Sequence, residues 1–279
     1  MALASPLRCT RFIALAVLLL ATGTGCQPAG SNDAGTNAPS APPAAAARPN
    51  LSGVWQALNT ANWDLEAHGA EPGPAPMLGA LLAVPPGPSV VVGGEIPYLP
   101  DALAKRLDNR ANRWTADPES KCFMPGVPRA NYMPYPFQIV QGTDTILMSY
   151  EFADAVRIIN MTDVGEAPAN SWMGWNIGRW DGDTLVVEVT AQHDDTWLDR
   201  SGNYHSDALR VVERYTLRSP DVLLYEATLE DPEVFSRPWT IRMPLYRRLD
   251  ENAQLMEFKC IPFAEPALYD HIGAEPSRN

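Results

Sequence analysis

The side chains best suited to chemistry are concentrated in one connection, residues 193–207, between two predicted strands. It holds two of the four histidines, four aspartates and a tryptophan. Connections this long with no pattern of their own are often functional. Histidine transfers protons near neutral pH, and a carboxylate can orient its ring. We therefore expect His205 to be a general acid or base, with Glu213 or Asp199 as its partner.

Two alternatives remain open for this connection. Its aspartates could cap turns in a solvated acidic loop. His193 and His205 could instead bind a metal with Asp194 or Asp199, but their spacing matches no standard metal motif, and we expect no metal or other cofactor. The sequence also lacks the motifs of serine hydrolases, zinc proteases and P-loop proteins, which argues against nucleotide binding and zinc proteolysis.

Glu213 is the second candidate because it interrupts an apolar row. One face of the predicted strand 209–217 is apolar except for Glu213 and the hydroxyl of Tyr215, whereas the other face carries arginines. A buried carboxylate is costly unless it is paired, and burial raises its pKa, which suits a general acid or base. The alternative is a structural ion pair with an arginine of a neighbouring strand, such as Arg179 or Arg242.

Aromatic side chains are the third indication of a binding site. Tryptophan is usually a core residue, but an excess of it beside carboxylates also suits a pocket for a sugar ring or a hydrophobic small molecule. The strand-rich half holds Trp172, Trp175, Trp180, Trp197 and Trp239. We expect the binding residues to be Trp180, Asp194, Trp197, Arg214 and Tyr215.

Alternating runs predict the strands that would position these residues. The predicted strands are 51–57, 137–141, 145–152, 156–161, 177–180, 184–190, 209–217, 222–229, 239–247 and 254–260. Short connections make successive strands antiparallel neighbours, and Asp181-Gly182 predicts a type I′ hairpin turn. A meander of this length tends to close, which removes its edges. Because Gly53-Val54-Trp55 also resembles the Gly-x-Trp opening of lipocalin-type barrels, we predict a mainly β protein with an antiparallel up-and-down, lipocalin-like barrel; a β-sandwich is the alternative.

The chain before residue 137 is rich in proline and glycine and predicts mostly irregular structure. Its one helix candidate is 100–114, where Leu103, Leu107 and Ala111 recur at four-residue spacing. We take residues 50–265 as a single β-rich domain and residues 266–279 as a flexible tail.

The N-terminus has the three parts of a secretory signal. Arg8 and Arg11 precede an apolar run at 12–21, and small residues then lead to Cys26. The apolar run is too short to span a membrane. A cysteine after small residues resembles a lipoprotein signal, so we predict a signal peptide at 1–25 and a lipid on Cys26; an ordinary cleaved signal with an incidental cysteine is the alternative.

The expected location of the mature protein follows from this signal. Residues 26–49 consist mainly of Ala, Pro, Gly, Ser, Asn and Thr and predict a disordered tether. Gln27 rather than aspartate follows Cys26, which resembles outer-membrane sorting. We therefore expect an exported lipoprotein anchored to the periplasmic face of the outer membrane.

Cysteine and charge counts are consistent with export. Cys9 would leave with the signal, so Cys122 and Cys260 remain beside the lipidated cysteine, and in an oxidising compartment such a pair is most simply a disulfide; two unpaired thiols are the alternative. The full chain has 21 basic and 33 acidic residues, and loss of the signal leaves 19 basic residues and a net charge of −14. This charge disfavours nucleic acid and anionic membrane surfaces as partners, so we expect membrane contact through the lipid anchor only.

Several blocks of the sequence also resemble one known group of proteins. They are 51–56; 122–129; 135–141; Trp172-Met173-Gly174; 178–187; Thr196-Trp197 with Asp199 and His205-Ser206; Glu213-Arg214-Tyr215; and Asp231-Pro232 with Arg237-Pro238-Trp239. Together they resemble a large family of secreted bacterial proteins, and this resemblance implies no particular reaction. It places Asp199, His205 and Glu213 within motif blocks. Residues 191–193 read Ala-Gln-His where the family more often has Gly-Phe-Asn, which makes His193 a weaker candidate than His205.

Two functional hypotheses result. The first is an extracytoplasmic hydrolase, lyase or isomerase that uses His205, Glu213 and Asp199 for acid–base chemistry on an uncharged or cationic small molecule, positioned by Trp197 and Arg214. The second is a non-catalytic, lipocalin-like binding lipoprotein for a hydrophobic ligand or an envelope component. A pocket lined by both His205 and Glu213 would favour the enzyme, whereas the lack of a shared pocket would argue against it.

Overall fold

Nine strands form a closed barrel in the order in which they follow along the chain. The computed structural model describes residues 48–261; the predicted signal peptide, Cys26, most of the tether and the predicted tail lie outside the described residues. The strands are β1 (Gly53–Ala57), β2 (Phe137–Gln141), β3 (Thr145–Tyr150), β4 (Val156–Asn160), β5 (Trp175–Asp181), β6 (Thr184–Thr190), β7 (Arg210–Ser219), β8 (Val222–Glu230) and β9 (Trp239–Arg247). β1 pairs with both β2 and β9 and closes the barrel. The mainly β, lipocalin-like barrel is thus confirmed.

One pair of neighbouring strands departs from the up-and-down pattern. β4 and β5 run parallel, through the pairs Ile159–Asn176 and Asn160–Ile177. Residues 161–174 separate the two strands, and a connection of this length lets the chain return to the same end of the barrel before β5 begins. All other neighbouring pairs of these nine strands are antiparallel, as predicted.

Two local predictions about the strands are wrong. In the β5–β6 hairpin, Gly182 has a positive φ of 57° and Asp183 does not, which is the pattern of a type II′ turn and not a type I′ turn. Residues 254–260 form no strand. The pairing of β1 with β9 leaves no open edge at which a tenth strand could join the sheet.

All but one of the helices in residues 48–261 lie in the long segment between β1 and β2, and the last lies between β3 and β4. They are α1 (Pro100–Ala111) and α2 (Arg113–Ala116), with 3₁₀ helices at Pro76–Leu82, Pro118–Lys121, Arg129–Tyr132 and Phe152–Asp154. The single helix predicted at 100–114 is therefore divided near Asn112. None of the helices in residues 48–261 has the length and apolar character needed to cross a membrane.

The side of α1 that faces the protein differs from the one predicted. Leu103 and Leu107 are 43% and 52% exposed. The adjacent side, with Ala102, Arg106 and Arg110, turns inward, where Arg110 pairs with Asp64 at 3.2 Å and also with Glu71. The helix is therefore held by ion pairs to the irregular segment that follows β1, because its small residues and arginine stems pack there while the leucines remain in solvent.

Candidate functional site

Glu213 lies inside the barrel, on the inward row of β7 that the alternation predicts. Its side chain is fully buried. Oε1 accepts hydrogen bonds from Asn131 Nδ2 at 2.9 Å, from the Tyr215 hydroxyl at 2.9 Å and from the Tyr225 hydroxyl at 2.7 Å. Oε2 accepts from the guanidinium of Arg157 on β4. Both carboxylate oxygens are therefore occupied by donors from the protein.

Arg157 is the ionic partner of Glu213 and is also fully buried. Burial opposes its charge, but the Glu213 carboxylate outweighs that effect and raises the pKa of Arg157 above its ordinary value. Its Nε donates to Asn176 Oδ1 at 2.6 Å. The prediction of Arg179 or Arg242 as the partner is wrong, because both lie on outward rows of their strands.

Asp199 lies in a second buried cluster, in the connection between β6 and β7. Its Oδ2 accepts from the Leu65 backbone N–H at 2.9 Å and from Asn203 Nδ2 at 2.6 Å. Its Oδ1 accepts from the backbone N–H groups of Ser201 at 2.8 Å and Asn203 at 3.2 Å. Burial and the nearby carboxylate of Asp64 raise the pKa of Asp199 to about 7. This carboxyl ties the connection to the segment that follows β1.

His205 is buried in the same connection and bonds to neither Asp199 nor Glu213. Its Nε2 lies 2.7 Å from the Thr196 hydroxyl, and its Nδ1 lies 2.8 Å from the Ser206 carbonyl oxygen. Burial lowers the pKa of His205, so the ring is neutral at neutral pH. The carbonyl can only accept, so Nδ1 carries the proton and Nε2 accepts from the hydroxyl. Both ring nitrogens are thus used within the protein.

The five predicted binding residues are distributed over different parts of the barrel. Tyr215 belongs to the Glu213 cluster, and Trp197 is buried within the β6–β7 connection. Trp180 is half-buried near the end of β5, whereas Asp194 is exposed. Arg214 points outward and forms an exposed ion pair with Asp181 at 3.0 Å.

A cavity lies at the end of the barrel where β3 ends and β2 and β7 begin. We call it the rim cavity. Its volume is about 260 Å³. It is lined by Arg113, Trp114, Asp117, Glu119, Ser120, Tyr135, Phe152, Arg200, Phe258, Lys259, Cys260 and Ile261. None of the predicted catalytic or binding residues is among them, so His205 and Glu213 do not meet in this cavity.

The floor of the rim cavity is a chain of alternating charges. Arg129 donates to both oxygens of Asp117 at 2.9 Å and to Glu119 Oε2 at 2.5 Å. Arg200 donates to Glu119 through Nε at 2.7 Å and through its terminal nitrogen at 2.6 Å. Burial would raise the pKa of Glu119, but the two arginines outweigh it and lower that pKa below its ordinary value. The Glu119 carboxyl of the floor is therefore charged.

The wall of the rim cavity is aromatic and is partly built by the C-terminal segment. The ring of Phe258 lies 4.9 Å from that of Tyr135 and 5.1 Å from that of Phe152, measured between centroids. Two residues after Phe258, Cys260 forms the predicted disulfide with Cys122. The Cα atoms of the two cysteines lie 5.6 Å apart. The disulfide thus confirms the cysteine pairing and holds this wall in place.

A second, much smaller cavity lies beside the Asp199 cluster. Its volume is about 10 Å³, which is about the size of one water molecule, and its lining includes Asp64, Arg110 and Ser201. Ser201 donates its hydroxyl to Asp64 at 2.6 Å. Within residues 48–261, no group of three or more His, Cys, Asp or Glu side chains is arranged to hold a metal ion.

Sequence reasoning missed the rim cavity because its lining comes from distant parts of the chain. One signal was present: the block 122–129 begins with the cysteine of the disulfide and ends with Arg129, which organises the floor. The pairing of Cys122 with Cys260 also placed the C-terminal segment beside this block.

The comparisons with known proteins add no relative to this picture. No family model matches the chain, no curated protein matches it, and no solved structure matches it. The resemblance to the family of secreted bacterial proteins therefore stays a prediction.

Proposed function

We propose that this protein is a non-catalytic binding protein that holds a small, largely hydrophobic ligand in the rim cavity. The observation that carries the proposal is the combination of aromatic walls, a concave shape and a charged floor, because ligand sites are concave, mainly apolar and equipped with a few polar groups. Trp114, Tyr135, Phe152 and Phe258 supply the apolar surface. The ligand must be compact, because the cavity is smaller than the range of about 300–1,000 Å³ of drug-sized sites.

The state of the predicted catalytic residues also supports binding over catalysis. A general acid or base has to reach the proton that it transfers. Glu213 and His205 instead have their polar atoms hydrogen-bonded inside the protein, are at most 1% exposed, and do not line the rim cavity.

Ligand binding can be tested by thermal unfolding with a panel of small aromatic compounds. A ligand at one hundred times its Kd stabilises a protein by about 2.7 kcal/mol, which for a domain of this size raises Tm by about 5–10 °C. Trp114→Ala should abolish most of the shift, whereas Tyr246→Ala on β9, outside the cavity lining, should keep it. If no compound raises Tm, or if both variants respond like the parent protein, the rim cavity is not the binding site.

A second candidate is the acid–base enzyme of the sequence analysis, with Asp199 as its central residue. The observation in its favour is the pKa of Asp199, raised to about 7 by burial and by Asp64, since pKa values near neutrality are typical of catalytic acids and bases. A substrate-panel screen of the parent protein, Asp199→Asn and His205→Ala would test it. Turnover that survives both substitutions would refute an acid–base role for these residues.

We also propose that the protein is exported and anchored through a lipid on Cys26. The Cys122–Cys260 disulfide supports an oxidising compartment, and the sequence supplies a signal and a tether. Mass spectrometry of the mature N-terminus tests this directly: a diacylated Cys26 is expected, and an unmodified N-terminal residue would contradict the lipid anchor.

A further inference from the structure

We infer that the rim cavity selects ligands with a single negative charge, such as a carboxylate on an aromatic body, and that Arg113 and Lys259 bind this charge. The inference rests on the proposed binding function and adds the ligand class. It reverses the expectation of an uncharged or cationic small molecule, and it is argued from the charges around the cavity.

The acidic side chains of the cavity are already paired with arginines. Both oxygens of Asp117 accept from Arg129, and Asp117 Oδ1 also accepts from the Glu119 backbone N–H at 3.0 Å. Both oxygens of Glu119 accept from Arg200, and its Oε2 accepts from Arg129 as well. A cation entering the cavity would therefore meet carboxylates whose charges Arg129 and Arg200 already balance, so its attraction to the floor would be weak.

Arg113 is a cation whose guanidinium group has unused N–H donors. Its guanidinium stacks on Trp114, with 4.7 Å between Cζ and the ring centroid. One nitrogen donates to Glu71 Oε2 at 3.1 Å and another to the Arg110 carbonyl at 3.2 Å. A guanidinium has five N–H donors, so these two contacts leave three within the described part of the chain. Glu71 is shared with Arg110, so one carboxylate serves two cations here.

Lys259 supplies the second positive charge. It lines the cavity between Phe258 and Cys260, and among residues 48–261 its ammonium group has no acidic partner. The lining as a whole has three cations, Arg113, Arg200 and Lys259, against the two floor carboxylates. This local excess stands in a chain whose formal net charge is −12. Because charges are screened over about 8 Å at physiological ionic strength, the lining and not the distant surface decides which ion enters.

The aromatic wall fits the remainder of such a ligand. Tyr135, Phe152 and Phe258 face one another with ring centroids 4.9–5.6 Å apart. An aromatic ring of a ligand could pack against these side chains at similar centroid distances, in an offset-stacked or edge-to-face arrangement. A carboxylate on a fused or single ring would thus place its apolar body against this wall and its charge towards Arg113 and Lys259.

Three probes of the same shape and different charge test the inference: naphthoate, naphthamide and naphthylmethylammonium. Titration calorimetry of each into the disulfide-intact protein at neutral pH should give naphthoate an affinity about tenfold above naphthamide, as expected for a hydrogen bond to a charged group, with the ammonium probe weakest. Raising the salt concentration should weaken naphthoate and leave naphthamide unchanged.

Two variants assign the effect to the named residues. Lys259→Met should weaken naphthoate about 3–5-fold, the range of an exposed ion pair, and Arg113→Met about tenfold, with naphthamide affected by neither. Lys105→Met removes another exposed lysine, which lies over Tyr204 and outside the cavity lining, and should leave naphthoate affinity unchanged. Circular dichroism and Tm of each variant confirm folding.

The outcomes separate the two proposals. Equal affinity for naphthoate and naphthamide, or a preference for the ammonium probe, would overturn the charge selectivity and leave the binding function standing. If none of the probes binds, the proposed binding function falls, and the selectivity falls with it.

Discussion

The buried pair of Arg157 and Glu213 makes the sharpest prediction about this fold. The substitution Glu213→Gln keeps the shape of the side chain and removes its charge. Arg157 would then remain charged and fully buried, with only neutral oxygen acceptors: the new glutamine amide oxygen, Asn176 Oδ1 at 2.6 Å and the Tyr215 hydroxyl at 3.4 Å. Removal of one member of a buried ion pair typically costs about 3–5 kcal/mol, which for a domain of this size lowers Tm by about 6–20 °C.

A double-mutant cycle measured by urea denaturation isolates the contribution of the pair. Arg157→Met should cost about as much as Glu213→Gln, because it leaves the carboxylate unpaired. The double variant should be more stable than the sum of the single losses predicts, by at least about 2 kcal/mol, since neither residue then leaves a lone charge. Arg214→Met on the same strand is the control. Its ion pair with Asp181 is exposed, so its loss should cost less than about 1 kcal/mol.

The reasoning fails if Glu213→Gln costs less than about 1 kcal/mol or if the two single losses simply add. Either result would mean that the pair is solvated or that the carboxyl is already neutral in the parent protein. Glu213 would then be open to a catalytic interpretation again.

Three further perturbations test other parts of the structure. Reduction of Cys122–Cys260, or Cys122→Ser with Cys260→Ser, should lower the free energy of unfolding by up to about 5 kcal/mol, because the bond closes a loop across 138 positions; urea denaturation checks this, and the double serine variant should no longer respond to reductant. Gly202→Ala should destabilise by about 2–4 kcal/mol, because its φ is 86° and an added Cβ would lie 2.6 Å from the Arg110 backbone nitrogen. Gly182→Ala, also at positive φ but with open space around it, should cost less, about 1–2 kcal/mol. Asp199 has a folded pKa of about 7, above an unfolded value of about 3.9, so its contribution to stability should be greatest below pH 4 and should be lost as the pH rises to 7; the difference in unfolding free energy between the parent protein and Asp199→Asn should follow this course, and a constant difference would contradict the raised pKa.

Sequence patterns were sufficient for the barrel but not for the contacts inside it. The alternation in β7 placed Glu213 on the inward row correctly, because the side-chain period of a strand depends only on local residues. Its partner Arg157 stands on β4, which is not a hydrogen-bonded neighbour of β7. The two side chains meet across the interior of a closed barrel, and that contact depends on closure and register.

The buried face of α1 was predicted wrongly for the same reason, since it depends on contacts between residues that are distant in the sequence. Leucines at four-residue spacing usually indicate a buried helix face. Here the competing stripe of Arg106, Arg110 and Arg113 meets the acidic residues 64–71 of an irregular segment. Nothing in the local sequence shows that these acidic residues lie against the helix. The leucine spacing was therefore the only local indication of which face of α1 is buried.

The contrast between Glu119 and Asp199 shows what decides the chemistry of buried acids in this protein. Both carboxyls are buried and both accept several hydrogen bonds. Glu119 accepts from two arginines, and its pKa is lowered, whereas the bonds to Asp199 come from backbone and amide groups beside Asp64, and its pKa rises to about 7. The number of cationic partners, and not the depth of burial, therefore separates a carboxylate that stays charged from one that titrates. Glu119 in the floor of the rim cavity therefore keeps its charge through the neutral range. A change of pH within this range should act on Asp199 in the β6–β7 connection and leave the charge preference of the cavity in place.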